Sequence, residues 1–146
     1  MTVCFDSNVL IEAFGDDPAL IEIARPIINT LASRSAKLPE QVLREFLAVA
    51  HRKRFMPVPA AREAVSTLSR RFDVVVSEVG DLIQASELAE RHKLQFYDAL
   101  LCCTTRRAGC SFLLSRDMQD GSLVGTVRIV DPFSPANTEL VADLLN

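Results

Sequence analysis

An α/β fold with a mainly parallel central sheet is predicted by three features of the chain. Short apolar runs of strand length alternate with longer stretches of helical period, no linker, repeat or low-complexity segment interrupts the alternation, and acidic residues fall where strands end. With 146 residues and 49% apolar content, the sequence fits a single domain, 1–146, with a substantial core.

The elements follow in order. "TVCF" (2–5) is apolar and short, and reads as the first strand. It runs into Asp6, Ser7 and Asn8, a triplet whose side-chain oxygens can accept hydrogen bonds from the free N–H groups of a new helix turn, a contribution of about 1 kcal/mol. A helix is therefore expected over 8–14. Helical periodicity continues over 18–33, 40–53, 60–71, 80–92 and 97–108, the last closed by Gly109 as a C-terminal cap. Strands are expected near "AKL" (36–38), at "DVVV" (73–76), "SFLL" (111–114) and "VRIV" (127–130), giving a sheet of about five strands.

Composition excludes several classes. Sixteen Lys plus Arg against nineteen Asp plus Glu give a net charge of −3, so any anionic partner must meet a local basic patch. The N-terminus lacks the basic segment and apolar core of a secretory signal. No apolar stretch reaches the roughly 18 residues needed to cross a bilayer, and a cytoplasmic protein without membrane contact is expected. Cys4, Cys102, Cys103 and Cys110 lack Cys-x-x-Cys spacing and have only two histidines to help, so they read as buried apolar residues and not as a zinc site.

Four acids carry the chemistry. Parallel sheets place working residues at the carboxyl ends of strands, where Asp6 falls. Asp117 falls there too: "SFLLSRDMQDG" repeats the design, a strand followed by Ser115, then Asp117 and Asp120, then Gly121. Asp98, in "LQFYDALLCCTTRRAG", shares an inward helix face with Leu101, Cys102 and Thr105 at about 100° per residue. Glu45, in "PEQVLREFLAVAHRKR", flanks an apolar face beside Val42 and Val49. Each acid also has a plain reading, a helix cap for Asp6 and Asp98 and a solvated side chain for Glu45. If they converge, like charge and desolvation each cost several kcal/mol and a cation must offset them. Oxygen ligands without His or Cys favour Mg2+ or Mn2+, and such an ion serves hydrolysis of a phosphate ester.

Four segments, "FDSNVLI", "REFLAVAHR", "FYDALL", and "LLSRDMQDG" followed by "VRIVDPF", resemble in order and spacing the PIN domains, and most closely the ribonuclease toxins of VapBC-type toxin–antitoxin pairs. The resemblance covers essentially the whole chain. It implies a three-layer α/β/α sandwich with Mg2+- or Mn2+-dependent endoribonuclease activity, a homodimer, and a small antitoxin partner. It maps the acidic cluster onto Asp6, Glu45, Asp98 and Asp117, with Asp6, Asp98 and Asp117 as metal ligands. Ser7 and Asn8, with Ser115 and Asp120, would support them. One departure is Arg116, where many relatives carry a second acid.

The basic residues supply the expected route to RNA: Arg52, Lys53 and Arg54, Arg70 and Arg71, Arg106 and Arg107, and Arg116 beside Asp117. Their plain reading is solvated helix ends near C-terminal dipoles, and for Arg116 a pairing with Asp117, Asp120 or Asp131. A small domain this apolar leaves surface for partners, so an antitoxin groove is expected near helices 8–14, 18–33 and 40–53. A receiver module would need a Lys after its last strand, and the chain has none beyond Lys93. A haloacid-dehalogenase-like phosphatase would want Asp where Asn8 stands. The alternative is a PIN domain acting as a binding module, or a nuclease on other nucleic acids without an antitoxin.

Overall fold

The computed structural model describes residues 2–146. The chain runs β1 (Val3–Phe5), α1 (Ser7–Ala13), α2 (Pro18–Ser33), β2 (Lys37–Pro39), α3 (Glu40–Lys53), α4 (Val58–Arg71), β3 (Asp73–Val75), α5 (Val79–His92), α6 (Phe96–Arg107), β4 (Phe112–Leu114), β5 (Leu123–Val124), β6 (Val127–Val130), a 3-10 turn (Pro135–Asn137) and α7 (Thr138–Leu144). All five expected strands and all six expected helices form. The chain ends in further structure that the sequence reading left out: β5, the 3-10 turn and α7.

The strands do not make one five-stranded sheet. β1, β4, β6 and β5 form, in that order, a four-stranded and mainly parallel sheet, and β2 with β3 forms a separate parallel ladder. Between the two, the Cys4 thiol lies 3.6 Å from the Lys37 carbonyl in place of a backbone ladder. β5 is antiparallel to β6 across a tight turn in which Gly125 takes φ +61°, a left-handed conformation that glycine adopts without a Cβ penalty.

Around this sheet α1 packs on α2 and α3, α3 packs on α4, and α5 pairs with α6, which covers β2, β4 and β6. Phe5, Phe46, Leu113 and Ile129 are fully enclosed, each worth about 1.5–3 kcal/mol relative to an exposed position. Phe5 meets Phe72 edge to face at 5.6 Å, which ties β1 to the end of α4. All four cysteines are free and buried, as their spacing implied. Gly109 ends α6 with φ +85°, its N–H donating to the Arg106 carbonyl.

The register of the parallel strands positions the site. Val3 lies opposite Phe112 and Phe5 opposite Leu114, while Leu114 lies opposite Val130. The strand ends are therefore level, and the residues that follow them, Asp6 and Ser115, stand side by side. Asp6 N–H donates to the Leu114 carbonyl and Ser115 N–H to the Val130 carbonyl, both at 2.9 Å.

Candidate active site

Asp6 performs the ordinary capping task and more. It is the N-cap of α1, its Oδ1 accepting from Ser7 N–H at 2.7 Å, and its Oδ2 accepts from the Ser115 hydroxyl at 2.8 Å. Ser115 in turn accepts from Asn8 Nδ2 at 3.3 Å, and Asn8 Oδ1 accepts from Arg116 N–H at 3.1 Å. The polar triplet after β1 is thus laced to the polar residues after β4. Asp6, Ser7, Asn8 and Ser115 are all buried, so these bonds replace water that the side chains cannot reach.

The other acids face the same place. Ser7 Oγ donates to Glu45 Oε2 at 2.8 Å, which brings α3 to the end of β1. Burial pushes the Asp6 carboxyl from its ordinary 3.8 to about 6, the Ser115 and Ser7 hydrogen bonds oppose this, and the charges of Glu45 and Asp117 add to it. The Asp98 carboxyl, in the first turn of α6, is raised by burial and then by the same two charges. Asp6, Glu45, Asp98 and Asp117 are brought together by the ends of β1 and β4, the middle of α3 and the start of α6. Behind them, burial pushes the Cys102 thiol up to about 12, with Cys103, Asp98 and Asp6 adding to it.

A cleft of about 490 Å³ opens over Ser7, Asn8, Glu45 and Asp117, with Arg52 and Lys53 further along the α3 face that carries Glu45. The donor set it offers is oxygen alone, the hard ligand chemistry of Mg2+ or Mn2+. Among the described residues, no three His, Cys, Asp or Glu side chains stand close enough to hold an ion unaided. An ion there would have to complete its shell with its own waters and take one or two carboxylates directly. Carboxyl groups raised by burial, and further by neighbouring negative charge, are also the electrostatic state that a dication relieves.

Several sequence expectations need correction. Asp120 does not face the acids: it accepts from Asp131 N–H at 2.9 Å and Asn137 Nδ2 at 3.0 Å, holding the turn before α7. Arg116 pairs with Glu12 at 3.1 Å and lies over the Phe133 ring at 5.4 Å, instead of pairing with Asp117, Asp120 or Asp131. Arg107 is held by buried Asp81 at 2.9 Å and by Glu78 and the Val76 carbonyl, so its charge is spent inside the α5–α6 pair. Arg106 bonds Gln84 of α5, and Arg70 bonds Ser66 of its own helix at 2.8 Å. Arg71 lines a different, apolar cleft, and Arg54 is the left-handed C-cap of α3. Only Arg52 and Lys53, among the eight basic candidates, line the acidic cleft. One contributor was missed altogether: buried Gln41 donates to Glu45 Oε1. The i, i+4 spacing of Gln41 and Glu45 on α3 was the signal that could have revealed it.

Level strand ends, a buried Asp6 and three converging acids define an α/β domain built to concentrate carboxylates in one crevice. The chain belongs to the PIN domain family, whose profile matches residues 3–119. Its fold is similar to a toxin–antitoxin complex from Klebsiella pneumoniae, with a TM-score of 0.62 and 18% identity over 90% of this chain and 98% of that one. It is similar to VapC20 from Mycobacterium tuberculosis, described as a Sarcin-Ricin loop cleaving toxin, with a TM-score of 0.61 and 19% identity over 80% and 90%. VapBC2 from Rickettsia felis, bound to a DNA fragment from its promoter, gives a TM-score of 0.63 and 12% identity over 88% and 97%. No curated protein matches the chain by sequence. No described helix is long and apolar enough to cross a membrane.

Proposed function

We propose that this chain is a divalent-metal-dependent endoribonuclease, the toxin of a VapBC-type pair. The observation that carries the reading is the convergence of four acids from four elements: the charges of Glu45 and Asp117 raise both Asp6 and Asp98, and Glu45 and Asp117 open into one cleft. Asp6, Asp98 and Asp117 are the residues that would hold Mg2+ or Mn2+, directly or through its waters, and the ion when bound supplies charge stabilisation and a more acidic water. Ser7 and Ser115 fix the two oxygens of Asp6, and Ser7 also fixes Glu45, so the acids meet the substrate in one geometry. Arg52 and Lys53, on the same face of α3 as Glu45, would take the RNA backbone.

The toxin part of the reading is supported by the similar folds named above. It is also supported by an apolar cleft of about 450 Å³, where Ala13, Phe14, Ile28, Met56, Ala64 and Leu68 line a groove between the end of α1, α2 and α4. That groove is where an amphipathic antitoxin segment would lie, with α4 taking the place expected of helix 40–53. A coding sequence with no short antitoxin-like neighbour would count against this part alone.

The test of the catalytic reading is Asp6→Asn and Asp98→Asn, each of which keeps side-chain shape and removes a charge. Cleavage of an RNA substrate should fall to background and calorimetric Mn2+ binding should weaken, while circular dichroism stays that of the parent. Full activity in either variant would sink the site assignment.

A further inference from the structure

Gln41 lies in the first turns of α3 and is 5% exposed. Its Nε2 donates to Glu45 Oε1 at 3.0 Å and to the Tyr97 carbonyl at 2.9 Å, which uses both amide hydrogens. Its Oε1 is buried with no partner among the described residues. A buried acceptor left unmet is costly, and a side chain tuned only for stability would avoid it. Rotating the amide does not remove the cost, because it would set Oε1 against two acceptors. The position therefore uses an amide for its two donors and leaves the oxygen orphaned.

We infer that Gln41 is a positioning residue for the acidic site, an inference that rests on the nuclease reading above. Glu45 projects from a helix on three rotatable bonds, and one anchor, the Ser7 hydroxyl on Oε2, fixes only one of its oxygens. Gln41 fixes the other. The same amide reaches the carbonyl of Tyr97, the residue before Asp98, so a single side chain sets α3 and the start of α6 at one separation. Glu45 and Asp98 arrive on different elements, and Gln41 is the bond that spans them. Neither Met nor Glu, both of similar length, has a donor to offer at neutral pH.

The experiment compares Gln41→Met and Gln41→Glu with the parent in three readouts: melting temperature, Mn2+ affinity by calorimetry without RNA, and kcat and KM on an RNA oligonucleotide. Gln41→Met removes the orphaned oxygen along with the donors, so its melting temperature should match or exceed that of the parent. Its Mn2+ affinity and kcat should nonetheless fall by about 10–100-fold, with KM unchanged. Gln41→Glu should show the same losses at neutral pH. A Gln41→Met chain that melts several degrees lower with kcat and Mn2+ affinity intact would make the residue structural and overturn the inference. A parent chain that cuts and binds Mn2+ beside a Gln41→Met chain that matches it removes the inference alone. A parent that neither cuts nor binds Mn2+ removes the nuclease reading, and the inference with it.

Discussion

Asp6 shows how one residue can serve folding and still be held in a state that folding does not favour. It caps α1 and bonds across to Ser115, yet burial and two neighbouring acids lift its carboxyl to about 6. The sign of the consequence follows from comparing the two states. Below about pH 4 the carboxyl is protonated in both, so it adds no pH dependence. As pH rises from 4 to 6 the unfolded chain releases the proton and the metal-free folded chain retains it, so stability falls across that window and levels off above it. At about 1.4 kcal/mol per pH unit the loss is about 3 kcal/mol. Asp98 is raised for similar reasons and contributes with the same sign. Urea unfolding in the presence of a chelator should therefore show the advantage of Asp6→Asn over the parent widening by about 3 kcal/mol from pH 4 to pH 7. A difference that stays constant with pH would show that the Asp6 carboxyl is not held up. That Asp6 and Asp117 follow strands, and that Glu45 and Asp98 sit on helices, was legible in the sequence because strand ends and helix faces can be counted; their shared role in a metal site is the proposal made above. Asp120 was misplaced because nothing in "RDMQDG" says which acid turns back to Asn137.

The longer elements were legible because each buries one face against the sheet or a neighbouring helix, and burial imposes the period from which helices and strands are read. β5 and α7 were not. Two residues are too few to show alternation, and α7 buries only Val141 and Leu144 along its seven residues. The split between the four-stranded sheet and the β2–β3 ladder, with the Cys4 thiol meeting the Lys37 carbonyl between them, is a matter of strand pairing that no periodicity encodes. α5 carries the opposite anomaly, an apolar row that is not buried. Val79, Leu82 and Ile83 fall at i, i+3 and i+4 and are 72%, 41% and 60% exposed, with Val76 just ahead of them at 59%. A contiguous apolar row left in solvent is the pattern of an association surface, and we propose it as the contact of a homodimer. Ile83→Asp, changed on an exposed face, should fold as the parent does and elute as a monomer in light scattering at micromolar concentration where the parent is a dimer. A monomeric parent would remove the dimer, and a dimeric Ile83→Asp would move the contact off this helix.

For the molecule as a whole, the net charge of −3 and the acidic cleft both repel a polyanion, so the RNA binding proposed above would have to be carried locally. Two cations line the cleft and are the candidates for it. Arg52 and Lys53 end α3 on the wall of the cleft that holds Glu45 and Asp117, while Arg107, Arg106 and Arg70 are bonded to neighbours elsewhere. Arg116 is the instructive contrast. Its position directly before Asp117 made it a candidate phosphate contact by sequence, yet Glu12 and the Phe133 ring hold its guanidinium, and its N–H fastens Asn8. Its charge is paired before any RNA arrives. Phosphate contacts release counterions, so each one that is lost lowers the dependence of log Kd on log salt concentration by about 1. With catalysis silenced by Asp98→Asn, RNA binding measured at several salt concentrations should weaken on replacing Arg52 and Lys53 together with Ala, and the slope should drop by about 2. Arg116→Ala in the same background should lower the melting temperature, through the lost pairing with Glu12 and stacking on Phe133, and leave the slope unchanged. The reverse pattern, a slope that responds to Arg116 and ignores Arg52 and Lys53, would place the RNA backbone on the Phe133 side of the site and take the cleft wall of α3 out of substrate binding.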